Sequence, residues 1–281
     1  MTKRVISVFL CVLCVISSIS FIVSAKENKE YTSDNFLSVA DGIIAWKKAD
    51  NGSEPDGYLI NDKYLENAGT TPGDWYPIAL GRLGIQDNNE GYLAVIKDRV
   101  EERYRESGRL SAAKATEWHR IALAVLAMGG DPTNFGTDEN GAPINLIADG
   151  TYDRGKTTPL GRQGINGWIW GLITLDSMRY AVPDGAYNTR DDIIVEIISK
   201  QLSDGGFALS SDDADPDITA MAITALAPYY NSEKIYSYHR KALSADESKT
   251  VHEVVDEAVL CLSRLQLDTG DYKSWGTQNV E

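Results

Sequence analysis

The chain has 281 residues, 43% of them apolar, enough for one large domain with a real core. The balance is acidic, at −14, which disfavours nucleic acid and an anionic membrane surface as partners, because both need clustered Lys and Arg.

Lys3 and Arg4 form a short positive start, Val5 to Val23 is an apolar run broken by serines, and Val23-Ser24-Ala25 offers small residues at cleavage spacing. This predicts a secretory signal peptide over residues 1–25 and a secreted or cell-surface protein, with no membrane contact after cleavage. The competing reading is an uncleaved anchor. Cleavage would remove Cys11 and Cys14 and leave Cys261 alone on a predicted helix, where a lone Cys on an apolar face reads as core. Residues 26–34 read as a linker and 35–281 as the folded domain.

Helices follow. Phe36, Val39, Ala40, Ile43 and Ile44 have helical spacing, as do Leu93, Ile96, Val100 and Tyr104. Four segments align without gaps, starting at Asp74, Glu117, Asn166 and Asp217, at spacings of 43, 49 and 51 residues. Each starts with a polar residue. Each has Ala or Gly at its sixth position (Ala79, Ala122, Gly171, Ala222), and Leu83, Leu126, Leu175 and Leu226 align further on. A period of this length with one helix pair per unit signals a repeat architecture, and the small residues allow close helix approach. Gly129 and Gly130 are a stop signal, and Asp215-Pro216 is a start. Thr189 with Asp192 and Thr250 with Glu253 predict capping boxes for helices over 193–202 and 254–265. No run of alternating strands stands out, so the expected class is all-α.

Gln201-Leu202-Ser203-Asp204-Gly205-Gly206-Phe207 and Gln266-Leu267-Asp268-Thr269-Gly270-Asp271-Tyr272 share Gln, then Gly four on, then an aromatic. Gly permits a left-handed exit from the helix, and the Gln amide can bond helix-end groups, clasping one helix to the next. This motif, followed by Asp and the Thr219-Ala220-Met221-Ala222 helix, resembles the repeat of squalene and hopene cyclases. It is similar to that of protein prenyltransferase β-subunits and of the cobalamin-binding intrinsic-factor group. The resemblance implies an α/α toroid, with an inner ring of helices around a cavity for an apolar or large planar ligand, of the corrinoid or isoprenoid class.

Asp215 and Asp217 fall on two of the three carboxylates of the cyclase acid motif, and Ile218 stands at the third. Carboxylate crowding keeps one such Asp protonated, so the alternative reading is that both cap a helix. No Cys lies near Asp217 to complete a prenyltransferase-type zinc set. His252 and Asp256, four apart on a helix, read as a surface pair rather than a metal site, and no cofactor is expected. Trp75, Trp118, Trp168 and Trp170 sit near the starts of the inner helices, and Gly161, Gly164 and Gly167 surround Asn166 and Trp168. The candidate ligand-binding residues are Trp75, Trp118, Asn166, Trp168 and Asp217, against the alternative that the indoles are ordinary core. The expected function is ligand binding without catalysis. A class II cyclase-like enzyme, an interaction module and action on polysaccharides are the alternatives. The second clasp places Glu281 where a fifth inner helix would begin, so the ring is expected to be unclosed by this sequence alone and completed by further chain or a partner.

Overall fold

The computed structural model describes residues 33–154, 158–274 and 277–278. The signal-peptide reading and Glu281 lie outside them. Contacts divide the chain after Pro55, and each part is taken by itself.

The first part holds α1 (Ser33–Asn51), which realises the spacing of Phe36, Val39 and Ile43, although all three are exposed. No described helix is long and apolar enough to cross a membrane.

The second part is mostly helical. Its helices are α2 (Asp62–Leu65), α3 (Thr71–Leu83), α4 (Asn89–Ser107), α5 (Ala115–Ala127), α6 (Leu146–Gly150), α7 (Ile165–Asp176), α8 (Arg190–Ile198), α9 (Pro216–Leu226) and α10 (Val251–Leu265). The four aligned segments are α3, α5, α7 and α9, and they pack in succession, each on the next. The others stand behind them. Helix α4 reaches α3 through Tyr92 and α5 through Tyr104, α8 packs on α7, and α10 packs on α9.

Local chemistry explains the boundaries. Thr189–Asp192 and Thr250–Glu253 form complete capping boxes. Asp215 caps α9, accepting the Asp217 and Ile218 N–H groups ahead of Pro216. Both clasps form alike. Gln201 Nε2 donates to Gly205 O and Gln266 Nε2 to Gly270 O, while the Leu202 and Leu267 N–H groups close the loops onto Gly206 O and Asp271 O. Gln201 Nε2 also donates to Val254 O of α10, which ties the end of α8 to that helix.

Two expectations need correction. The class is not purely α: β1 (Ile235–Arg240) pairs antiparallel with β2 (Ala245–Thr250), and a two-residue pair, Lys273–Ser274 with Thr277–Gln278, follows α10. Tyr236, Tyr238 and Arg240 alternate inward along β1, whereas β2 carries no apolar alternation to announce itself. The gapless repeat also fails in phase at α3. Ala122, Gly171 and Ala222 are buried, but Ala79 is exposed, and α3 buries Gly73, Asp74, Pro77 and Leu80. Pro77 therefore occupies the place of Ala122, two residues from the expected register. Leu175 and Leu226 are fully buried, while Leu83 and Leu126 are not. Spacing of large and small residues located the helix but not its rotation about its axis.

Candidate functional site

Partly exposed stripes run along the four aligned helices. These follow helical spacing: Thr71, Trp75, Ile78 and Arg82 on α3, Thr116, Arg120 and Leu123 on α5, Asn166, Trp170 and Ile173 on α7, and Asp217, Met221 and Thr224 on α9. One turn below the helix starts, the indoles of Trp75 and Trp170 meet at 5.5 Å between ring centres with 54° between their planes. They come from α3 and α7, which flank α5, so the two rings bridge over α5. Trp75 remains 42% exposed.

At the starts of α3 and α5 lies a cleft of about 600 Å³ lined by Thr70, Thr71, Arg103, Lys114, Thr116, Glu117, Arg120 and Gln163, together with Ser111. Two ion pairs hold its walls. Arg120 Nε stands 2.7 Å from Asp74 Oδ2, and its other nitrogens donate to Thr71 Oγ1 and Gly69 O. Asp74 is fully buried and accepts the Tyr92 hydroxyl at 2.7 Å and the Gly69 N–H at 2.6 Å. Burial pushes the Asp74 carboxyl up, against the pull of Arg120 and Tyr92. Arg103 reaches Glu117 with both terminal nitrogens, at 3.1 and 3.3 Å. The Gln163 carbonyl oxygen accepts from Thr116 Oγ1 at 2.9 Å.

The sequence candidates divide. Trp75 lies on the exposed stripe of α3. Trp118 lies on no such stripe: it is 1% exposed, its Nε1 donates to the Tyr104 hydroxyl, and the Arg154 guanidinium covers its ring at 3.9 Å. It is core, turned to α4 because its position on α5 lies off the exposed stripe. Trp168 is half-buried against the helical turn Leu160–Gln163. A Cβ on Gly161 would collide with its indole, and one on Gly167 with the Leu160 carbonyl oxygen. Those two glycines serve the seating of the turn on α7 rather than the approach of a ligand. Asn166 is half-buried at the top of its stripe, and its Oδ1 is shut from solvent with no hydrogen bond among the described residues. Asp217 is exposed in the first turn of α9. The four polar helix starts do not share one environment: Asp74 is buried, and Asp74 and Glu117 are each matched by an arginine.

Asp215 spends one carboxylate oxygen on the α9 N–H groups and the other on Ser274 Oγ at 2.7 Å. His252 pairs with Asp256 at 3.2 Å and stacks on Tyr230. No group of three or more His, Cys, Asp or Glu side chains converges as a metal would require among the described residues. Cys261 is buried on α10. Sequence reasoning did not commit to Arg103, Lys114, Arg120, Gln163 or Trp170. A cation three residues beyond a polar helix start was the signal available for Arg120. Compared with known protein families, characterised proteins and solved structures, the chain matches none.

Proposed function

We propose that this is a secreted or surface ligand-binding domain of α/α-toroid type that acts without catalysis and holds its ligand against the concave face of α3, α5, α7 and α9. One observation carries the reading: Trp75 and Trp170 form a partly open aromatic pair, and Thr71, one turn before Trp75 on α3, lines a polar cleft of about 600 Å³. Concave sites with aromatic walls and few converging polar groups are the usual seats of small ligands. The resemblance of the clasps adds the ligand class, a corrinoid or an isoprenoid. Native mass spectrometry of the secreted protein with cyanocobalamin or farnesol tests it. One of the two adds at one per chain, and the adduct is lost in a Trp75→Ala, Trp170→Ala double variant. Retention of the adduct by that variant, or no adduct with either compound, refutes the proposal.

The cyclase-like alternative has less support. Ile218 replaces one carboxylate, both Asp215 oxygens are engaged, and Asp217 is exposed. Purified protein is expected not to convert squalene. Turnover abolished by Asp217→Asn would restore the enzymatic reading.

A further inference from the structure

Resting on that reading, we propose that the cleft at the starts of α3 and α5 is a subsite for one singly charged oxyanion, a carboxylate or a phosphodiester carried by the ligand. The cleft gathers Arg103, Lys114 and Arg120 from α4, from the residue capping α5, and from α5 itself, with Glu117 as the one acid in its lining. Charge decides the class. Glu117 matches Arg103 and the buried Asp74 matches Arg120, so one positive charge is left over, that of exposed Lys114, whose ammonium has no hydrogen-bond or ion-pair partner among the described residues. One charge of surplus suits one negative charge. A doubly charged group would meet Glu117 and a chain of net charge −14.

Donor counting points the same way. A guanidinium has five N–H donors. Arg120 uses Nε and one hydrogen on each terminal nitrogen, and Arg103 uses one on each terminal nitrogen. Donors therefore remain on both, and the ion pairs fix the guanidinium planes in advance. Such charge-assisted bonds to an oxyanion are the strong kind. Of the hydroxyls lining the same space, that of Thr71 accepts from Arg120 and keeps its own hydrogen to donate, whereas those of Thr70 and Thr116 are spent on Asn67 O and Gln163 Oε1. Helices α3 and α5 open into it; the Gln163 side chain takes the Thr116 N–H and the Gly73 and Glu117 N–H groups turn back to Thr70 O and Lys114 O, so the two helix starts add the positive end of their dipoles rather than a set of open donors.

The test is a nitrogen-15 NMR titration of the full chain at fixed ionic strength with three probes: dimethyl phosphate, acetate and the uncharged trimethyl phosphate. Dimethyl phosphate or acetate moves the Thr71 and Thr116 amide signals saturably, and the tighter of the two tells a phosphodiester source from a carboxylate source. Trimethyl phosphate leaves the signals in place. Lys114→Ala weakens anion binding about tenfold, and Lys114→Arg keeps it. Arg103→Gln, on the opposite wall and partly exposed, weakens it as well, so the test does not hang on one variant. Equal response to trimethyl phosphate, no saturable response to either anion, or full affinity in Lys114→Ala would each overturn the inference. If the anions fail while the tryptophan-dependent adduct with cyanocobalamin or farnesol persists, the subsite alone is refuted. If that adduct is also missing, the binding-domain proposal falls with it.

Discussion

Mild acid should destabilise this domain through one histidine. His119 is fully buried on α5, and its Nε2–H donates to Gly150 O at 2.7 Å, which leaves Nδ1 bare and without a partner among the described residues. Burial lowers its pKa to about 4 from 6.5; the Gly150 bond works against the fall and the Arg154 charge adds to it. The folded protein thus refuses a proton that the unfolded chain accepts. Stability from this group is complete above pH 6.5 and is lost as pH falls toward 4. At 1.36 kcal/mol per unit, the full loss is about 3 kcal/mol, of which about 2 kcal/mol falls between pH 7 and pH 5. The comparison is His119→Gln, whose amide can still donate to Gly150 O but does not titrate. Urea unfolding followed by tryptophan fluorescence at pH 7, 6 and 5 gives the difference. Wild type should lose about 2 kcal/mol more than the variant over that range. Exposed His239 and His252 are common to both proteins and cancel. Parallel pH profiles in the two proteins would refute the reasoning.

Asp215→Ala should cost about 1 kcal/mol in thermal unfolding, whereas Asp217→Ala stays within about 0.5 kcal/mol, because Asp215 alone makes the cap. Gly167→Ala should cost about 1–3 kcal/mol, measured by denaturant midpoint, since the new methyl meets the Leu160 carbonyl. Arg240 is 3% exposed and donates to Gln201 O and Leu202 O while facing Glu247 and Glu257. Arg240→Met should therefore cost about 3 kcal/mol by the same measurement.

Signals held within a few residues were legible in the sequence. Thr189 with Asp192, Thr250 with Glu253, and Asp215 before Pro216 each name a helix start because cap and capped N–H groups are neighbours in the chain. The clasp at Gln201 was legible for the same reason, though its reach to Val254 O depends on where α10 lies. The phase of α3 was not. Trp75 and Ala79 matched Trp118 and Ala122 in size, yet the inward face of α3 is set by Asp74, which collects Gly69, Tyr92 and Arg120 from three segments. Strand β2, Ala245–Thr250, is held in place by its pairing with β1 and by Lys249 against Glu257, not by any pattern of its own. At the site, Trp75 was nameable as an aromatic near a helix start. That Trp170 is its partner follows only once α3 and α7 are seen to flank α5.

The Trp75–Trp170 contact has an optical consequence. Two indoles 5.5 Å apart, inclined at 54°, are close enough for their ultraviolet transitions to mix, and the tilt makes the mixed states chiral. The domain therefore carries its own circular-dichroism reporter, a pair of bands of opposite sign whose amplitude depends on the angle between the rings. No other pair of indoles is in ring contact among the described residues. The bands belong to α3 and α7 alone, and they record, without any label, each change in how those two helices stand across α5.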